Sequence, residues 1–65
     1  MKANELKAEL VRQNKTQKDL AEVLQKTEVT VCRNINSGYM TIEDATIISN
    51  FLNLPLVRRA EIFLE

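Results

Sequence analysis

The chain has 65 residues, no formal net charge, 45% apolar residues, one Gly, one Pro, one Cys and no His. So short a chain allows one domain with one small core, because burial and ordering entropy nearly cancel at this size. An internal disulfide, a histidine-based centre and a Pro/Gly-rich linker are excluded by composition, and no run approaches the roughly 18 apolar residues of a membrane span. The opening MKANELKAEL lacks an apolar signal core, and one cysteine without a ligand cluster suits a reducing setting, so a cytoplasmic location is expected. Charge is distributed unevenly. Residues 12–39 carry five cations against three carboxylates, and residues 40–65 carry two against four. That asymmetry alone is a solvated-surface pattern.

The periodicity predicts five helices and no strand, an all-α fold. The first helix is expected over about 4–13, with Leu6, Leu10 and Val11 on one side. Thr16-Gln17-Lys18-Asp19 has capping-box form and opens a second helix from 17 to about 24. Its apolar set is Leu20, Ala21 and Leu24, and the small Ala21 lets another helix cross closely. Thr27 is a second cap, with Glu28 in the first turn where a carboxylate suits the helix dipole. The third helix ends near Asn36-Ser37-Gly38, where Gly38 can take a left-handed conformation. Thr41-Ile42-Glu43-Asp44 repeats the cap signal and opens a fourth helix to about 52, with Ile42, Ala45, Ile48, Ser49 and Leu52 as its packing stripe. Pro55 ends that segment and can sit in the first turn of a fifth helix.

On a wheel at about 100° per residue, Val31 and Ile35 of the third helix share the core side. Val29, Arg33 and Asn36 fall opposite, flanked by Thr30 and Cys32. A short polar helix carried outward by a tightly joined predecessor is the helix-turn-helix arrangement, here over about 17–36. In such a pair the second helix enters the DNA major groove.

TQKDLAEVL, followed by TEVTVCRNINSG and TIEDATIISNFLNLP, resembles the Cro/repressor-like helix-turn-helix family and its small phage-type regulators of Gram-positive hosts. The matching features are Gln17, Leu20-Ala21, Leu24, Val31, the Asn36-Ser37-Gly38 exit and the Thr41-capped helix, and the similarity spans residues 4–63. It implies a five-helix lambda-repressor-like domain over 1–65. It further implies a double-stranded DNA partner, with no cofactor, metal or small-molecule ligand. Two departures stand out. The family usually has Gly where Gln25 stands and an apolar residue where Lys26 stands. A left-handed Gln costs roughly 1 kcal/mol, and Lys26 removes a core anchor, so a variant turn is expected. Ile35 and Ser37 also set the last core contact one residue later than the commonest pattern.

The expected base-reading residues are Glu28, Val29, Cys32, Arg33 and Asn36. Arg33 suits guanine O6 and N7, Val29 a thymine methyl, and Glu28 either cytosine N4 or only the helix dipole. Val29 packed on the turn and a merely solvated Arg33 are the alternatives. Thr16, Gln17, Lys18, Thr27, Thr30, Ser37 and Tyr39 are expected at the DNA backbone, Tyr39 alternatively as a partly buried spacer. Cys32 is more readily a small side chain than a redox switch.

Apolar residues crowd the C-terminal third. Phe51, Leu54, Ile62, Phe63 and Leu64 are expected to form a two-fold interface between copies, giving a homodimer on a short palindromic operator. Without His, a nucleophile–base pair or a phosphate-binding Gly loop, no enzyme is expected. The rival is a helical protein-interaction module such as an antitoxin or anti-repressor. The helical pattern reaches Glu65 without a linker, so a single domain is expected rather than the N-terminal part of a longer regulator.

Overall fold

Each of the three central helices starts where a threonine can satisfy its first free amides. In the computed structural model, which describes residues 1–64, the elements are α1 (Ala3–Arg12), α2 (Gln17–Leu24), α3 (Glu28–Ser37), α4 (Ile42–Phe51) and α5 (Leu56–Phe63). Thr16 accepts from the Asp19 amide (3.2 Å) while the Thr16 amide donates to the Asp19 carboxylate (2.9 Å), closing the capping box of α2. Thr27 and Thr41 accept from the amides of Thr30 and Asp44, each at 3.1 Å. Pro55 lies just outside α5 and accepts from the Arg59 amide at 3.0 Å. The five helices, without a strand among the described residues, make this an all-α domain as the periodicity predicts.

The first four helices all stop in the same way. Asn14, Gln25, Gly38 and Asn53 take left-handed φ values of 59°, 56°, 76° and 53°. Behind each, two amides fold back onto the last turn: Tyr39 to Asn34 and Gly38 to Ile35 at 3.1 Å after α3, Lys26 to Ala21 at 3.0 Å after α2. This double closure satisfies carbonyls that would otherwise be orphaned at a helix end. Gln25 therefore adopts the closure usual for Gly in place of the variant turn expected of it, against a steric cost of roughly 1 kcal/mol that Asn largely avoids.

The core draws on every helix: Leu6 and Leu10, then Leu20, Ala21 and Leu24, then Val31 and Ile35, then Ile48 and Leu52, with Leu54 and Ile62 closing it. Four expectations about burial are corrected here. Val11 is 79% exposed, and Glu9 takes the inward position beside Leu10. Ile42 is 86% exposed, because the first residue after a cap projects before α4 reaches the core. Leu54 and Ile62, expected between copies, are buried inside the monomer. The Asn53 closure turns Leu54 back under α4, its amide bonding the Ser49 carbonyl at 2.9 Å. Ile62 has its side chain in the core, while its backbone carbonyl accepts from the Lys2 amide at 2.8 Å. Phe51 and Phe63 are half-buried against the core, while Leu64 is exposed.

Glu9 is buried and fully engaged. Its carboxylate accepts from Gln13 (2.9 Å), Arg12 (3.0 Å) and Arg58 (2.9 Å), and Arg58 also reaches Glu5 (2.9 Å) and Glu61 (3.2 Å). The hydrogen bonds from Gln13 and then Arg58 hold the Glu9 carboxyl below its usual value, outweighing the opposing effect of burial. Gln13 also donates to the Leu52 carbonyl at 2.9 Å, so the network ties α1 to α5 and to the end of α4. Such an arrangement satisfies a buried charge rather than leaving it orphaned.

Candidate nucleic-acid interface

Ala21 is buried on α2, and its small side chain lets α3 lie close after a turn of three residues, Gln25, Lys26 and Thr27. Val31 and Ile35 point from α3 into the core, which leaves the opposite side of the helix outward. There Val29 is 66% exposed and Arg33 is exposed. Thr16, Gln17 and Lys18 at the start of α2, with Glu28, Val29 and Cys32 along α3, line one shallow, open concavity. Six of the expected site residues are thus brought together from two elements. Among the described residues, Lys18, Glu28 and Arg33 take part in no ion pair.

The remaining expected residues lie around this concavity or at the far end of α3. Thr27 caps the helix and donates its hydroxyl to Thr30 Oγ1 at 2.8 Å, so the two threonines form one polar pair at its start. Ser37 bonds back to the Asn34 carbonyl at 3.0 Å, and Tyr39 beyond it is 61% exposed. Asn36 is exposed but engaged: Lys7 of α1 donates to its Oδ1 at 3.1 Å, and its amide NH2 donates to Cys32 Sγ at 3.4 Å. These bonds hold Asn36 towards α1 and give Cys32 a polar neighbour.

Two residues outside the expected site bear on this region. Lys7 joins it through Asn36. Lys26, expected only to weaken the turn, reaches across to α4, where its ammonium lies 2.6 Å from Asp44 Oδ2. Asp44 has the same position in its cap sequence as Asp19, yet its carboxylate bonds Lys26 where that of Asp19 bonds its own cap. The only sequence signal was an unpartnered Lys in a position that wants an anchor.

A second surface begins at the C-terminal end of α3. A groove of about 270 Å³ runs between the α3–α4 connection, α4 and the end of α5, edged by Tyr39, Ile42 and Leu64 and floored by Met40, Ala45 and Phe63.

No protein-family model, curated protein or solved structure matches the chain. Among the described residues, no helix is long and apolar enough to cross a membrane.

Proposed function

We propose that this chain is a sequence-specific DNA-binding transcriptional regulator of the Cro/repressor-like kind. In this proposal it works in the cytoplasm and binds a short palindromic operator as a pair of copies. The observation that carries the proposal is the outward side of α3, where exposed Val29 and unpaired Arg33 stand beside the open end of α2 in one concavity. An exposed β-branched residue gains nothing from solvent, and contact with a thymine methyl gives it a use. Arg33 pairs its two-pronged guanidinium with guanine O6 and N7, Glu28 and Cys32 extend the row along the base edges, and Asn36 joins it by exchanging its bonds to Lys7 and Cys32 for a base. Thr16, Gln17 and Lys18 hold one phosphate strand with the first amides of α2, as helix N-termini do. Thr27 and Thr30, with Ser37 and Tyr39 further on, hold the backbone on the other flank. No chemistry is assigned to the protein; binding occludes or recruits the transcription machinery.

Selection of bound duplexes from a random pool tests this directly. One enriched sequence with two-fold symmetric half-sites about 10 base pairs apart is expected. The few cations near α3 neutralise about three to five phosphates per copy, which gives a logarithmic salt slope of roughly −3 to −5 per copy. No enrichment, and no binding at low salt, sinks the proposal. Pairing of copies is expected through Phe51, Phe63 and Leu64, and loss of operator affinity in a soluble Leu64→Asp variant checks that contact.

A second function is favoured by the groove beside α4. Its exposed Ile42 and Leu64 suit a protein partner, as for an antitoxin or anti-repressor. Tight capture of one protein by a chain inert towards duplex DNA would support it instead.

A further inference from the structure

The inward side chains of α3 are unevenly placed. Between Leu24 on α2 and Val31 on α3 no side chain is buried, so the first turn of α3, with Glu28 and Val29, has no apolar anchor. The Thr27 cap orders that turn internally but ties it to nothing else. Among the described residues, the one side-chain hydrogen bond from residues 25–30 to another helix runs from Lys26 to Asp44, at 2.6 Å. The carboxylate half of the pair is shielded: the Asp44 side chain is 8% exposed, against 36% for that of Lys26. Asp44 is also rigidly set, since its amide bonds Thr41 at 3.1 Å in the first turn of α4, where the helix dipole favours a carboxylate.

We infer that Asp44, acting through Lys26, is a positioning residue that sets the tilt at which α3 is presented. Val31 and Ile35 hold α3 near its middle and end, and a helix held at two points one turn apart can still pivot at its free end. Lys26 lies one residue before the cap of α3, so fixing its ammonium on α4 fixes the pivot. The carboxylate does the work that an apolar side chain at position 26 would otherwise do, and α4 thereby governs the outward side of α3. Under the DNA-binding proposal, on which this part rests, base contacts demand correct tilt while phosphate contacts tolerate error. Losing the pair then lowers specificity more than affinity.

The test compares Asp44→Ala, Lys26→Met and the double variant Lys26→Met/Asp44→Leu, which replaces the pair by apolar contact. Residual dipolar couplings of the free proteins report the angle between α2 and α3. Duplexes selected by the unmutated protein and random duplexes report binding. The single variants are expected to keep their helical circular dichroism but change the angle. They should lose about tenfold in affinity for the preferred duplex and less than about twofold for random DNA. The double variant recovers most of both. Should Asp44→Ala unfold, the isosteric, uncharged Asp44→Asn variant takes its place in the same measurements. An unchanged angle in Asp44→Ala overturns the inference whatever the DNA result. A changed angle with equal losses on preferred and random duplexes overturns the link to specificity. If the unmutated protein selects no duplex, the functional proposal fails, while the angle still decides what Asp44 does.

Discussion

Arg58 and Arg33 are the same residue put to opposite uses. Arg58 on α5 is the hub of an internal lattice, bonding Glu5, Glu9 and Glu61 and closing the molecule across α1. Arg33 on α3 is exposed and in no ion pair among the described residues. The chain's charges sum to zero, yet the two sides use them differently. On the α1–α5 side they hold helices together, whereas on the α2–α3 side Lys26 and Asp19 are engaged but Lys18, Glu28 and Arg33 stay out of any ion pair among the described residues. Net charge alone conceals this division. A neutral protein can still offer an unpaired arginine to an anionic partner when several of its carboxylates, here Glu5, Glu9 and Glu61, are engaged by another arginine.

The contrast is broken most forcefully from the inside. Arg58→Ala leaves the buried Glu9 carboxylate with fewer donors, and the melting temperature is expected to fall on the order of 10 °C, measured by circular dichroism. Arg33→Ala is expected to leave the melting temperature unchanged. Its effect is on binding: about 1–3 kcal/mol lost on the preferred duplex, with preference relaxed at one base pair. Equal losses on preferred and random DNA would place Arg33 on phosphate. Gln17→Ala, by comparison, should weaken all duplexes alike.

Acid sharpens the same comparison. The Glu9 carboxyl titrates below its usual value of 4.5 in the fold. A depressed carboxylate stabilises the protein above its unfolded pKa, and that contribution is lost as pH falls below 4.5 through the folded value. Urea melts at decreasing pH should therefore lose stability in this window, and Glu9→Gln should flatten that limb while lowering stability at neutral pH. The smallest expected gain is at the turn. Gln25→Gly relieves the left-handed strain and should stabilise by about 1 kcal/mol, whereas Asn14→Gly should give less, since Asn tolerates that conformation. A destabilised Gln25→Gly would mean that the Gln side chain contributes an interaction outweighing the strain.

What the sequence disclosed follows the range of each interaction. The caps at Thr16, Thr27 and Thr41 were legible because cap and partner lie three residues apart. The inward pair Val31 and Ile35 was legible because helical period alone sets it. Arg58 and Glu9 are 49 residues apart, and no local rule joins them. The same holds for Lys26 and Asp44, 18 residues apart, where a capping signature correctly placed the helix start but not the carboxylate's partner. Counting apolar residues in the tail correctly registered an excess but misassigned its members. Leu54 and Ile62 belong to the monomer's core, while Ile42, expected inside, is on the surface. Period gives a side for each residue, but only the packed neighbours decide which side is covered.

The four left-handed closures after α1 to α4 bear on how quickly the chain finds its structure. Each reverses the backbone with bonds to the turn just completed, so a helix and its exit form as one local event. Little chain entropy has to be surrendered to bring successive helices together, since the links between them are only a few residues long. Small helical domains with contacts this local fold in microseconds to milliseconds. A temperature jump should therefore relax in that range. The relaxation should be slower where the exit residue resists the left-handed form, which makes the bond between α2 and α3 the step at which Gln25 delays folding and glycine would hasten it.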